Sequence, residues 1–187
     1  MITTKIDLDK GGIDVLRAII RLPREPAWAT PEVLTQLIRE EAAIRDDLVA
    51  YGYAYGALDL DGLMEHFADD VVLVNPSGTY RGSAIVRRNY EWLFKDWPSA
   101  RHHWGEVAVR FVARDEAYRS SIIWESHPKQ MWMGISTDIH HLKKLDGRWK
   151  IVKRCIVMDG GFKLFPEDEV DDSGRRDLLA EADKAKQ

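Results

Sequence analysis

Residues 59–82, DLDGLMEHFADDVVLVNPSGTYRG, change their hydrophobic period in mid-stretch. Leu63, Met64 and Phe67 recur at helical spacing behind Asp59 or Asp61, either of which is a good N-cap. The run VVLV that follows reads as a strand, and Asn75-Pro76 with Gly78 reads as the turn that ends it. Upstream, Thr30 is an N-cap with Pro31 at the first helical position. Val33, Leu34, Leu37, Ile38, Ile44, Leu48 and Tyr55 then predict one long amphipathic helix to about residue 58. Downstream, SAIVRRNYEWLFK (83–95) is again helical in spacing, with Ile85, Tyr90 and Leu93 as candidate buried positions. Beyond Pro98 the pattern is sheet: HHWGEVAVRFV, AYRSSIIWES, QMWMGISTDIHHLKKL and RWKIVKRCIVM, the last two joined by the hairpin turn Asp146-Gly147. Helices first and an antiparallel meander last make an α+β pattern.

The length of 187 residues suits one domain with extensions: an N-terminal arm over 1–30, a core domain over 31–165 and a charged tail over 166–187. The arm carries one short apolar segment before LPREPAW and is expected to pack on the domain or on a neighbouring subunit. Apolar residues at 45% and charged residues at 31% are ordinary for a soluble globular chain. A net charge of -4 gives no electrostatic reason to bind nucleic acid or an anionic membrane, and no apolar run approaches the roughly 18 residues of a bilayer span. The single cysteine, Cys155, sits in an apolar run and reads as packing. With no signal-peptide core and no disulfide pair, a cytoplasmic protein is expected. There is no phosphate-binding glycine loop, Ser-centred elbow, HExxH or zinc-type Cys/His spacing, so neither metal nor cofactor is expected. Seven Trp and six Tyr, several near His in mid-chain, suggest a pocket for something flat or apolar.

The stretch 59–82, with its short acidic-capped helix ending in F-x-D-D, its strand and its Y-x-G turn, resembles the start of the nuclear-transport-factor-2-like fold. That fold is a conical α+β barrel with a long helix in a curved antiparallel sheet, and the likeness is to its SnoaL-like branch. RHHWGEVAVRF extends it, and STDIHHLKKLDGRWKIVKR resembles the last hairpin of scytalone dehydratase, for a total span of residues 40–162. The resemblance implies the fold. Activity is left wide, since the superfamily holds dehydratases, isomerases, cyclases, dehydrohalogenases and non-catalytic members.

Alternation along HHWGEVAVRFV puts His103 with Val107, Val109 and Phe111 on the inner face and turns His102, Glu106 and Arg110 outward, with Trp104 also outward. An inward imidazole is an acid/base candidate, and the resemblance places a catalytic histidine at His103-Trp104-Gly105. A histidine base needs an acid to orient it. Family dyads take that acid from the end of the first helix, where Asp59 fits with a two-residue gap; without the gap the position is Gly56 and Asp59 is a helix cap. Tyr51 and Tyr55, four apart, share one helix face and either aim phenols into the cone or are core tyrosines. Asn75 stands where ketosteroid isomerases carry an aspartate base, which disfavours that reaction and leaves Asn75 to orient substrate or to shape the turn. His127 and Asp138 match a second pocket histidine and an asparagine of scytalone dehydratase, and Asp138 is an alternative partner for His103. Arg154 either binds a substrate anion or is a solvated sheet charge.

The expectation is a cofactor-independent lyase, of dehydratase or retro-aldol type, or an isomerase, acting on a bulky apolar, aromatic or polyketide-like molecule. His103, Asp59 and Tyr55 would be catalytic, and Tyr51, Asn75, His127, Asp138 and Arg154 substrate-binding. The alternative is a non-catalytic role, as small subunit of an aromatic-ring dioxygenase or as a ligand-binding scaffold. A homodimer or homotrimer is expected, with the outer sheet face, Trp104 included, covered by another subunit.

Overall fold

The computed structural model describes residues 6–8, 12–76, 78–98, 100–127 and 132–163. The tail expected over 166–187 lies outside them. Among the described residues four helices, α1 (Gly12–Arg21), α2 (Pro31–Ala57), α3 (Leu60–Met64) and α4 (Ser83–Asp96), accompany six strands. These are β1 (Phe67–Asn75), β2 (Gly78–Arg81), β3 (Arg101–Ala113), β4 (Glu116–His127), β5 (Trp132–Leu145) and β6 (Arg148–Lys163).

Local chemistry sets the helix ends. Thr30 Oγ1 accepts from the Val33 amide and Pro31 opens α2. Leu58, left-handed at φ 59, closes it, and its N–H returns to the Tyr55 carbonyl. Asp59 then caps α3 by accepting from the Gly62 amide at 3.0 Å. Phe67, read from the sequence as the last residue of that helix, instead begins β1: five residues exhaust α3, and the buried Phe67 and Ala68 already belong to the sheet. In α4 the buried stripe is Val86, Asn89 and Tyr90, whereas Ile85 faces solvent.

The strands form one curved, unclosed sheet in the order β2-β1-β6-β5-β4-β3. All neighbouring pairs are antiparallel except β1 and β6. Asp146 (φ 50) and Gly147 (φ 78) make the β5–β6 turn, the two positive φ angles that a tight hairpin with the sheet's twist requires.

The sheet has two covered faces. On the concave side, α2 lays Val33, Leu37, Ile44, Tyr51 and Tyr55 against Val109, Phe111, Leu142, Trp149 and Ile151, with α4 adding Val86 and Tyr90. On the convex side, α1 packs Val15 and Ile19 over Tyr118, Ile139 and Cys155, so the arm covers its own domain. Trp124, on the uncovered part of that convex face, is 42% exposed. Among the described residues no helix is long and apolar enough to cross a membrane.

Candidate active site

Strand β3 does not keep one alternation. Between Gly105 and Ala108 it advances three residues while β4 advances two, a β-bulge centred on Glu106 at φ 50. The bulge inverts side-chain parity. Val109 and Phe111 point inward as expected, but before the bulge the inward residues are His102 and Trp104, and His103 lies on the convex face. The sequence expectations for His103, His102 and Trp104 are therefore reversed. His103 Nε2 lies 3.0 Å from Ser126 Oγ in an exposed contact, and its cross-strand neighbour is Trp124.

His102 stacks on Tyr55, ring centroids 3.9 Å apart and planes at 15°, and is 7% exposed. Its cross-strand partner is Glu125, whose Oε1 is 3.7 Å from His102 Nε2 and 3.2 Å from His127 Nε2. The Tyr55 phenol feels the charge of the same carboxylate. Burial alone would raise the Glu125 pKa, but the two imidazoles outweigh it and hold the carboxyl well below the usual carboxylate range. Burial pushes the Tyr55 phenol well above its ordinary value, so it remains a neutral donor. With Nε2 turned to the acid, His102 keeps Nδ1 buried and, among the described residues, without a partner. The Trp104 indole lies against α2, where a Cβ at Gly52 would come 2.8 Å from Nε1, and among the described residues that Nε1 likewise has no partner. Only glycine at position 52 lets the indole approach so closely.

A second polar cluster runs deeper along the concave face. Arg154, 1% exposed, donates from Nε and Nη2 to both oxygens of Asp138 at 3.0–3.2 Å, and from Nη1 to the phenol oxygens of Tyr51 and Tyr90. His140 Nε2 stands 2.9 Å from Asp138 Oδ2, off the line of a hydrogen bond, so that contact is electrostatic. Arg119 donates from Nε to His140 Nδ1 at 2.9 Å, which fixes that nitrogen as an acceptor and the ring as neutral. Arg119 Nη1 reaches the Ile44 carbonyl and Asp47, and His66 Nδ1 donates to the other Asp47 oxygen at 2.7 Å. Burial lowers His140 to about 4 and Arg119 to about 10. Burial would raise Asp138, but Arg154 and His140 hold it well below the carboxylate range.

Set beside the sequence expectations, the structure brings Tyr55 and His127 to His102 and Glu125, and Tyr51 and Asp138 to Arg154. Asp59 is left out: it is exposed and spent on capping α3. Asp138 partners Arg154 and His140 instead of His103, and Arg154 is buried rather than a solvated sheet charge. Asn75 donates to Asn89 Oδ1 at 3.1 Å. Glu125, Tyr90, Arg119 and His140 escaped sequence reasoning. Glu125 could have been found as the acid two residues before His127, on the same face of its strand. Among the described residues no group of three or more His, Cys, Asp or Glu is disposed to hold a metal ion.

Solved structures with this architecture include a protein assigned as a scytalone dehydratase from Novosphingobium aromaticivorans DSM 12444. It is 18% identical, with a TM-score of 0.62 over 70% of this chain and 91% of that one. The hexachlorocyclohexane dehydrochlorinase LinA-type3 from Novosphingobium barchaimii LL02 is 18% identical, with a TM-score of 0.59 over 68% and 91%. A nuclear-transport-factor-2-like protein of unknown function from Pseudomonas putida KT2440 is 14% identical, with a TM-score of 0.59 over 64% and 87%. At such identities the likeness speaks for the fold alone. No curated protein matches the sequence. The model of the SnoaL-like domain matches residues 36–155, which takes in most of α2, the bulged strand and both polar clusters, and the chain belongs to the SnoaL-like family.

Proposed function

We propose that the protein is a cofactor-independent lyase or isomerase for a bulky apolar, aromatic or polyketide-like small molecule, with His102 as its acid/base group. One observation carries this reading: a buried imidazole with a carboxylate at Nε2 and an unpartnered Nδ1. Nδ1 takes a proton from substrate carbon, the freed electron pair forms the new double bond, and a β leaving group such as hydroxide departs. The imidazolium returns its proton to that oxygen as water, and Glu125 stabilises the imidazolium while it lasts. His127, on the same carboxylate, is placed to assist the departing group, and Tyr55 orients both ring and acid. Names of structures with the same fold, a dehydratase and a dehydrochlorinase, support a lyase.

A comparison of metabolites from cells expressing the wild type, His102→Ala or His103→Ala tests it. His102→Ala is expected to lose a hundredfold or more in turnover, the usual worth of a positioned base, while His103→Ala stays within about twofold. Equal loss in both variants would refute the assignment. The non-catalytic reading has its own support, since Tyr51, Tyr55, Phe67, Tyr90 and Phe94 occupy the interior with edge-on and tilted ring contacts. Identical metabolite profiles from wild type and His102→Ala would favour that scaffold.

A further inference from the structure

The N-terminal half of α2 and the β5–β6 hairpin leave an open cavity of about 350 Å³ between them, within the size range of small-molecule sites. Glu40, Ala43 and Asp47 fall on one face of the helix, and the short Ala43 between two longer side chains makes the notch. The inner charges are already matched. Lys144 Nζ donates to Glu40 Oε1 at 2.6 Å, and the buried Trp149 indole donates to Oε2 at 2.7 Å. Both oxygens of Asp47 accept, one from His66 and one from Arg119. At the mouth two guanidiniums remain. Arg39 is exposed and makes no hydrogen bond or ion pair among the described residues. Arg148 makes an exposed contact with Glu65 at 3.2 Å, of a kind that contributes little. The unmatched charge of the cavity is therefore positive, while Ala43 and the Trp149 ring supply the apolar part of its wall. None of the residues around His102 lines it, and Asp47 stands two turns of α2 before Tyr55, about 12 Å along the axis.

We propose that this cavity is a second ligand site, separate from the one at His102, for a small aromatic carboxylate: Arg39 and Arg148 hold the carboxylate, and the ring lies over Ala43 against Trp149. A guanidinium fork matches a carboxylate in plane and in charge, and neither arginine gives up a strong partner to receive one. A cation is disfavoured, because both acids of the wall are already held by donors. An inorganic anion would leave most of the volume and the apolar wall unused. The site stands apart from the lyase reading, since no residue invoked there lines the cavity.

Calorimetric titration of the full chain with 2-naphthoate, its neutral amide 2-naphthamide and inorganic phosphate tests it. The carboxylate is expected to bind about tenfold more tightly than the amide, the worth of one charge-assisted hydrogen bond, and phosphate about tenfold more weakly than the carboxylate. Arg39→Gln and Arg148→Gln, both at exposed positions, should each weaken 2-naphthoate about fivefold and leave the amide within about twofold. The double variant should erase the preference. Ala43→Phe fills the notch without touching an ion pair, and should weaken both naphthalenes about tenfold or more. His102→Ala should leave every affinity unchanged, so a failure of the acid/base mechanism shows separately in activity. The proposal is overturned by an amide that binds as tightly as the carboxylate, by a preference that survives the double variant, or by wild-type affinity in Ala43→Phe. Loss of binding in His102→Ala would place the ligand in the concave interior and overturn it too. So would phosphate binding as tightly as 2-naphthoate, or no binding of 2-naphthoate at millimolar concentration.

Discussion

Glu125 on β4, half-buried, and Asp138 on β5, fully buried, are both acids on the concave face, and both sit beside histidine. The Asp138 side is nearly saturated: Arg154 and Arg119 spend their donors on Asp138, two phenols, His140, Asp47 and a backbone carbonyl. Around Glu125 the partners are imidazoles and a phenol, and His102 still holds an unused nitrogen. Permanent charges that neutralise each other build a rigid support, whereas groups able to gain or lose a proton leave something to react with. The difference separates scaffold from chemistry in a way that residue type alone does not.

The largest effect expected is on the saturated side. Arg154→Met leaves Asp138 as a buried charge without its cation and should cost about 3–5 kcal/mol in urea unfolding. Adding Asp138→Leu to that variant should recover most of the loss, because an apolar pair replaces an ion pair at little cost. A loss below about 1 kcal/mol for Arg154→Met would break the claim that this cluster is structural.

Acid should also strike the saturated side first. His140 is held near 4 in the fold against 6.5 unfolded, so between those values the unfolded chain binds the extra proton. Stability should fall as pH drops from 6.5 to 4, by about 3 kcal/mol at 1.36 per pH unit. Glu125, Asp138 and Asp47, all lowered in the fold, extend the loss further into acid as they protonate. His140→Gln should flatten the slope above pH 4.5, and a slope unchanged in that variant would assign it elsewhere.

On the other side the readout is turnover. Glu125→Gln keeps the shape and deletes the charge, and should lower turnover about a hundredfold, near 3 kcal/mol in barrier. Its stability loss should be smaller than that of Arg154→Met, because the imidazoles left behind can be neutral. The reverse order of stability losses would erase the distinction between the two clusters. Asp59→Asn, an acid outside both, is the smallest effect: Asn caps as well as Asp, so stability and turnover should stay within about 0.5 kcal/mol.

Much of this was legible in the sequence because it is local. The Thr30-Pro31 start of α2, the Asp146-Gly147 turn and the shared face of Tyr51 and Tyr55 each follow from a few neighbouring residues, and each stands in the structure as read. The facing of His102 and His103 was exchanged because alternation carries face information only until a bulge intervenes, and nothing in GEV announces a left-handed Glu106. The ladder from Asp47 to Tyr90 joins α2, α4, β4, β5 and β6, with partners up to 103 residues apart, which no spacing rule reaches.

The parallel pairing of β1 with β6 bears on how the molecule is made. Val72 to Val74 hydrogen-bond across to Lys153 to Cys155, the last strand in the sequence lying between the first strand and the rest of the sheet. During synthesis the β1–β2 hairpin and α2 leave the ribosome with no sheet to join, while β3, β4 and β5 can pair in order as they emerge. Closure waits for β6. Until then the inner face of β1 has no sheet to join, so ordering of the domain should be late and cooperative, and slow for its size, since the β1–β6 contacts span some eighty residues.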